Sequence, residues 1–319
     1  MATTLSHDPL WPRAGGWPRL DELESGTSVD LAILGVPAWR TSLSPTSAHE
    51  TPAAIRAALE RYSPALMPDR RPAVDRGIGA EASGPVDLAA LGFADVGDID
   101  EPDGADGEAR TIAAVSSALE RASALIALGG DNSVTVATAL GAWGDDLARA
   151  GLVTIDAHYD LRDGVSNGSP VRRLVEAGLD PRRIVQIGIA DFANSAAYAR
   201  RAADLGITVI HRDELHGRDL AGVMSEAIEI AGAAGGPVHL DVDVDACDRS
   251  VAPGCPASVP GGLAAWELRA LVRAAGSDPR VRTADLVEID ATADAADGRT
   301  VRLAALCVLE FAAGILART

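Results

Sequence analysis

Residues 151–170, GLVTIDAHYDLRDGVSNGSP, pass from an apolar run, Leu152 to Ile155, into Asp156, His158 and Asp160 at alternate positions. In extended backbone alternate side chains leave on one side, so these three converge on one point. Two carboxylates and an imidazole at the end of a buried strand are costly unless something compensates them. A divalent cation is the most economical compensation. A second acidic series lies in VHLDVDVDACDRSVAPGCPASVPGGL, where His239, Asp241, Asp243 and Asp245 share one parity among Val and Leu. The apolar residues between the acids argue against an exposed edge strand. This series also reads as a cation site, with at least two of its aspartates as ligands.

Both clusters need strands behind them. Apolar runs at 31–35, 93–96, 125–128, 152–155, 184–189, 207–210, 238–244 and 284–289 predict eight strands. Helices are expected from Thr51, with Pro52 in the first turn, over 108–124, after the Gly129-Gly130-Asp131-Asn132-Ser133 turn, and over 170–178, 222–234, 266–275 and 301–317. That alternation predicts an α/β protein: a three-layer α/β/α arrangement around a central, mostly parallel eight-stranded sheet. The strands run into polar residues: Asp95 and Asp98, Asp131 and Asn132, Asp156 to Asp160, Asp243 and Asp245, and Glu288. Sites in open α/β sheets lie beyond the carboxyl ends of the strands, so one acid-lined basin is expected there. Oxygen-rich ligands with a little nitrogen suit manganese. So many anions indicate two ions, which together can make a shared water into hydroxide near neutral pH. Residues 1–28, rich in Pro, Gly and Trp, are expected as an irregular arm anchored by Trp11 and Trp17. Residues 29–319 are expected as a single domain with an excursion over 64–90.

Composition bounds the function. The formal net charge is -18, which repels nucleic acid and anionic membrane and argues against both as partners. Hydrophobic residues make up 47% and aromatics only 3%, so the core must be built from Ala, Val, Leu and Ile. Three cysteines, Cys247, Cys255 and Cys307, do not form a disulfide framework. The N-terminal residues have no basic segment followed by an apolar one, and no apolar run reaches the ~18 residues of a membrane helix. A soluble cytoplasmic protein is expected.

The chain resembles the ureohydrolases: arginase, agmatinase, guanidino-acid hydrolases and formimidoylglutamase. The resemblance rests on Gly129 to Ser133, Asp156 to Asp160, Asp243 to Leu263 and Val287-Glu288, and extends over nearly the whole chain. It implies an arginase-like fold and two divalent ions, Mn2+ ahead of nickel or another divalent metal. Their ligands would be Asp156, His158, Asp160, Asp243 and Asp245, with Asn132 where the family has His. A neutral amide oxygen is a weaker donor than imidazole, so one ion is expected to bind less tightly. Asp241 stands where the family has Ser, and Cys255 lies in a segment that has lost the family's Pro and Thr-Gly-Thr. Ser166 to Pro170 replaces a His-Gly shuttle segment. With Arg162 directly after the metal loop, it is similar to formimidoylglutamase, whose substrate is a dicarboxylate. The implied chemistry is hydrolysis of a linear amidine, with Asp160 and Glu288 catalytic and Arg162, Asn167 and Ser169 binding substrate. The alternatives are a guanidino-acid, agmatine or hydroxyarginine hydrolase, or a catalytically weakened metal-binding relative. The resemblance also implies a homo-oligomer, trimer or hexamer.

Overall fold

The computed structural model describes residues 8–67 and 86–318. Eight strands form one sheet: β1 (Val29–Val36), β4 (Phe93–Asp98), β5 (Ala122–Gly129), β6 (Gly151–Ile155), β7 (Ile184–Ile189), β8 (Thr208–His211), β9 (Val238–Asp243) and β10 (Val281–Val287). Their order is β4-β1-β5-β10-β9-β6-β7-β8, and every neighbouring pair is parallel. A separate antiparallel pair, β2 (Ala65–Leu66) and β3 (Val86–Asp87), flanks the expected excursion; residues 68–85 between them lie outside the described residues.

Parallel sheets bury both faces, and the alternating side chains sort the helices into two layers. Leu31, Ile33, Ile126, Val153, Leu240 and Val242 pack with α1 (Thr51–Leu59), α6 (Leu220–Ala231), α7 (Ala265–Ser277) and α8 (Arg299–Leu316). Ala32, Leu34, Leu125 and Ala127 face α2 (Gly104–Ala118), while Leu152 and Ile184 face α3 (Val134–Trp143), α4 (Pro170–Ala177) and α5 (Ala196–Leu205). The three-layer expectation holds.

Two boundaries and one helix differ for physical reasons. The helix expected over 108–124 is α2, ending at Ala118, because Ala122 and Ala124 pair with Val29 and Leu31 in the sheet. Alanine fits either state, so the apolar pattern alone could not separate them. The strand expected over 238–244 stops at Asp243, and Val244–Ala246 make a 3-10 turn. Helix α5 has no counterpart in the sequence reading: only its Ala202 is buried, and the face it packs inward is a thin one of Tyr198, Ala199, Ala202 and Leu205. In the arm, Trp17 stacks on Phe93 with centroids 4.4 Å apart, whereas Trp11 is 52% exposed and anchors nothing. Asp95 ties the arm to β4: its carbonyl accepts from Leu20 N–H and its N–H donates to Pro18. Among the described residues no helix is long and apolar enough to cross a membrane.

Candidate metal centre and substrate cavity

The carboxyl ends of β5, β6, β9 and β10 meet in one basin. At one corner Asp156, His158 and Asp245 place a ligand atom each within 4.8 Å of one another. His158 Nδ1 lies 2.8 Å from Asp245 Oδ2 and 3.5 Å from Asp156 Oδ1. Asp156 sits directly after β6. Asp245 reaches the same spot because the 3-10 turn after β9 folds it back, its N–H donating to Asp243 Oδ1 at 2.8 Å. Thus His239, Asp241 and Asp243 share a face by strand parity, while Asp245 joins them through a turn.

At the other corner Asn132 Nδ2 donates to Asp160 Oδ2 at 2.6 Å and to Asp243 Oδ2 at 3.2 Å, and Asn132 Oδ1 accepts from the Thr135 hydroxyl at 2.6 Å. The amide is therefore a donor to the two carboxylates as placed here, with its nitrogen inward and its oxygen taken. Asp160 reaches this corner through a left-handed backbone turn, φ 52°. Glu288 is also left-handed, φ 62°. Such backbone in non-glycine residues costs on the order of 1–3 kcal/mol and persists where surroundings dictate it. For Glu288 those surroundings are its N–H bond to Gly130 O (2.9 Å) and the Asn132 N–H on its Oε1 (2.8 Å). Gly130 has no room for a side chain: a Cβ there would stand 1.7 Å from Ala38 O.

Burial sets the electrostatics. Asp156 is fully buried, and burial together with neighbouring Asp245 pushes its pKa up to about 7. Burial pushes Glu288 up to about 8, with Asp131 adding to it. Asp160 and Asp243 are raised well above the usual range, first by burial and then by the other acids. Burial opposes a charge on His158, but Asp245 and Asp156 outweigh it and hold the imidazolium up to about 12. Asp245 is lowered, burial notwithstanding, by His158. The acids thus favour a proton on His158. Asp156 Oδ2 is buried without a hydrogen-bond partner. An orphaned carboxylate oxygen beside two further ligand atoms fits a divalent ion displacing that proton.

Beneath the basin the polar character continues. Asp241 lies one pleat below Asp243, in register with Thr154 of β6 and Asp285 of β10. Both its oxygens lack hydrogen-bond partners, and burial with Asp285 alongside favours its protonated form. His239 is deeper still, between Thr283 (2.8 Å) and Asp285 (3.0 Å), away from the metal corners. Cys255 is buried, and burial followed by Asp245 and Glu288 pushes its thiol pKa well up, which makes it a packed small residue rather than a nucleophile.

A cavity of about 230 Å3 opens above these corners. Its walls include His158, Asp160, Arg162, Asn167, Asp243 and Glu288. Arg162 is exposed and makes no ion pair among the described residues, and its side chain crosses Gly168, where a Cβ would meet Arg162 Cδ at 2.7 Å. Arg172 and Arg173 brace the fold instead: Arg172 donates to Arg162 O and Gly164 O, and Arg173 pairs with Glu108. Asn167 donates to Glu288 Oε1 at 2.8 Å and accepts from Leu43 N–H at 3.0 Å, joining the loop after β1 to the acid. Ser169 is not brought to the cavity; it is fully buried, its hydroxyl donating to Ser166 O. Leu43, Ser44, Asn194, Ser195 and Tyr198 also line the cavity and escaped sequence reading. The available signal was Ser195, whose hydroxyl caps α5 by accepting from Tyr198 N–H.

A parallel sheet between two helix layers, with buried acids and an imidazole at its carboxyl rim beside a cavity, is an α/β arrangement that could hold a divalent ion. Residues 29–314 match the model of the arginase family, and the chain belongs to that family. It is 31% identical over 299 residues to a formimidoylglutamase of Halalkalibacterium halodurans, covering 91% of this chain and 88% of the relative. The structure is similar to that of formimidoylglutamase from Bacillus subtilis, with TM-score 0.80 and 25% identity over 99% of this chain and 95% of the other. It also has the fold of a Trypanosoma cruzi formiminoglutamase solved with Mn2+, with TM-score 0.78 and 24% identity over 95% and 99% of the two chains.

Proposed function

We propose that the chain hydrolyses the amidine C–N bond of N-formimidoyl-L-glutamate, giving L-glutamate and formamide, with two divalent ions, Mn2+, in the basin. Asp156, His158 and Asp245 would hold one ion. Asp160 and Asp243 face the other position, where Asn132 ligates only by turning its oxygen inward and giving up Thr135. Bound there, the ions supply a water acidic enough to lose its proton near neutral pH. The chain's own groups do the rest. Asp160 takes and holds that proton. Glu288 Oε2, which carries no hydrogen bond among the described residues, accepts from the planar amidinium and stabilises it as its carbon becomes tetrahedral. Arg162 binds a substrate carboxylate through paired N–H donors. The Ser166–Pro170 segment holds no proton shuttle: Asn167 is an amide already committed to Glu288, so the leaving amine takes its proton through water.

The observation that carries this reading is that one cavity is lined both by buried acids and by Arg162, an exposed arginine with no ion pair among the described residues. That polarity fits a substrate with a cationic amidine and an anionic tail. The Halalkalibacterium and Bacillus relatives, both named formimidoylglutamase, support it, and the Trypanosoma structure supports manganese. A homo-oligomer, trimer or hexamer, working in the cytoplasm completes the proposal; Trp266, 65% exposed on α7, supports an interface there. The test is an assay with added Mn2+ of formimidoylglutamate against a guanidino-acid, agmatine and hydroxyarginine panel. Release of glutamate and formamide is expected; urea release from a guanidino compound, with no glutamate from formimidoylglutamate, would overturn it.

A further inference from the structure

Strands β6 and β7 pair from Leu152↔Ile184 to Ile155↔Ile187. Backbone bonds carry the pairing slightly further, from Asp156 N–H to Ile187 O and from Ala190 N–H to Ala157 O, both at 3.0 Å. There the two chains part. His158 lies at the end of that ladder: its N–H donates to Asp156 Oδ1 at 2.6 Å, and its carbonyl takes no bond from β7 among the described residues. The Asn194 side chain takes over. Its Oδ1 accepts from Tyr159 N–H at 3.1 Å, and its Nδ2 donates to Ala157 O at 2.8 Å and to Ala190 O at 3.4 Å.

The Ala157 carbonyl belongs to the peptide unit before His158, and the Tyr159 N–H to the unit after it. Asp156 Oδ1 and Ala190 N–H also hold the first unit, but among the described residues Asn194 is the side chain bonded to both planar units that flank this Cα. With those planes held, the two soft dihedrals of His158 are held, and with them the direction of its Cα–Cβ bond. Gln186, fully buried on β7, adds a bond from Nε2 to Tyr159 O at 3.1 Å. Both N–H groups of Asn194 are engaged with backbone, so none is left for a substrate although the residue lines the cavity.

We propose that Asn194 is a positioning residue for His158: it aims the imidazole and thereby sets the affinity of the Asp156–His158–Asp245 corner for a divalent ion, without contacting the substrate. This rests on reading that corner as a metal site. Residues that orient metal ligands typically govern affinity by about 10- to 100-fold.

The experiment is Mn2+ titration of the native chain, Asn194→Ala and Asn194→Asp, followed by electron paramagnetic resonance of free Mn2+, with circular dichroism confirming the fold. Asn194→Ala is expected to weaken the tighter site by about 10- to 100-fold. Turnover should return at saturating Mn2+ and the KM for formimidoylglutamate should stay unchanged. Asn194→Asp, of the same size, keeps the acceptor for Tyr159 but sets an oxygen against Ala157 O. It is expected to bind Mn2+ more weakly even though its added negative charge would by itself draw a cation in. If Asn194→Ala does not fold, Asn194→Asp decides alone. Native-like or tighter Mn2+ binding by Asn194→Asp, or a raised KM with unmoved Mn2+ affinity in Asn194→Ala, overturns the proposal. Failure of the native chain to bind Mn2+ would instead sink the metal reading itself.

Discussion

The two corners of the basin contain the same number of carboxylates but manage their charge differently. At Asp156 and Asp245 the third member is an imidazole, which the acids hold as a cation. At Asp160 and Asp243 it is the Asn132 amide, which offers two N–H bonds and no charge. In the first corner the acids favour a proton on the imidazole, which a divalent ion would displace. The second holds only dipoles, and its amide must turn over before an oxygen faces the ion. The comparison teaches that ligand count alone does not rank metal positions: what occupies each one beforehand, and what must move, ranks them.

Breaking the first corner is the harshest test. Asp245→Asn removes the acid that pairs with His158 at 2.8 Å, and turnover should fall by more than the ~100-fold that residues outside the ligand set command, with loss of Mn2+ from the dialysed protein. Steady-state kinetics with metal analysis check it. Glu288→Gln comes next: it keeps the size but replaces the carboxyl oxygen that accepts from the amidinium with an amide, and kcat should fall on the order of a hundred- to a thousandfold with metal content unchanged. Asn132→His sharpens the contrast in the opposite direction. Retention of a second Mn2+ after mild dialysis should rise about tenfold, and two ions held equally by the native chain would erase the distinction between corners.

The smallest effect is in pH. In the metal-free chain Asp156 and Glu288 have pKa values near 7 and 8, above the usual carboxylate range, and His158 near 12, above the usual imidazole value. Between about pH 5 and pH 8 the folded chain therefore binds more protons than the unfolded one, and its stability falls as pH rises. The melting temperature of the metal-free chain should drop across that window. Mn2+ displaces those protons, so its affinity should rise with pH over the same range. Calorimetry in buffers of different ionisation enthalpy should register about one or more protons released per ion. A flat melting profile would show that these groups titrate normally.

Much of this was legible from one dimension. Asp156, His158 and Asp243 announce themselves because strand periodicity puts alternate residues on one face, and apolar neighbours guarantee that the face is buried. Arg162, expected to bind substrate from its place after Asp160, does line the cavity. Ser169 was misleading, since a hydroxyl's partner is set by a turn only three residues wide and invisible to spacing. Asn194 lies in the loop before α5 and Tyr198 on its thin apolar face, and neither type nor spacing points to a site. Their place in the cavity follows from the loop after β7 curling over the end of β6.

The sequence by itself determined the sheet, its order of alternation and the set of acids at its rim, because burial and strand parity act locally and repeat along the chain. Only the tertiary structure decided which way the Asn132 amide faces, that Asp245 arrives by a turn, that Arg162 makes no ion pair among the described residues, and that Asn194 bonds the backbone on either side of His158. Each of these depends on groups remote in sequence meeting at hydrogen-bond distance, and a contact of that kind leaves no periodic trace in the order of residues.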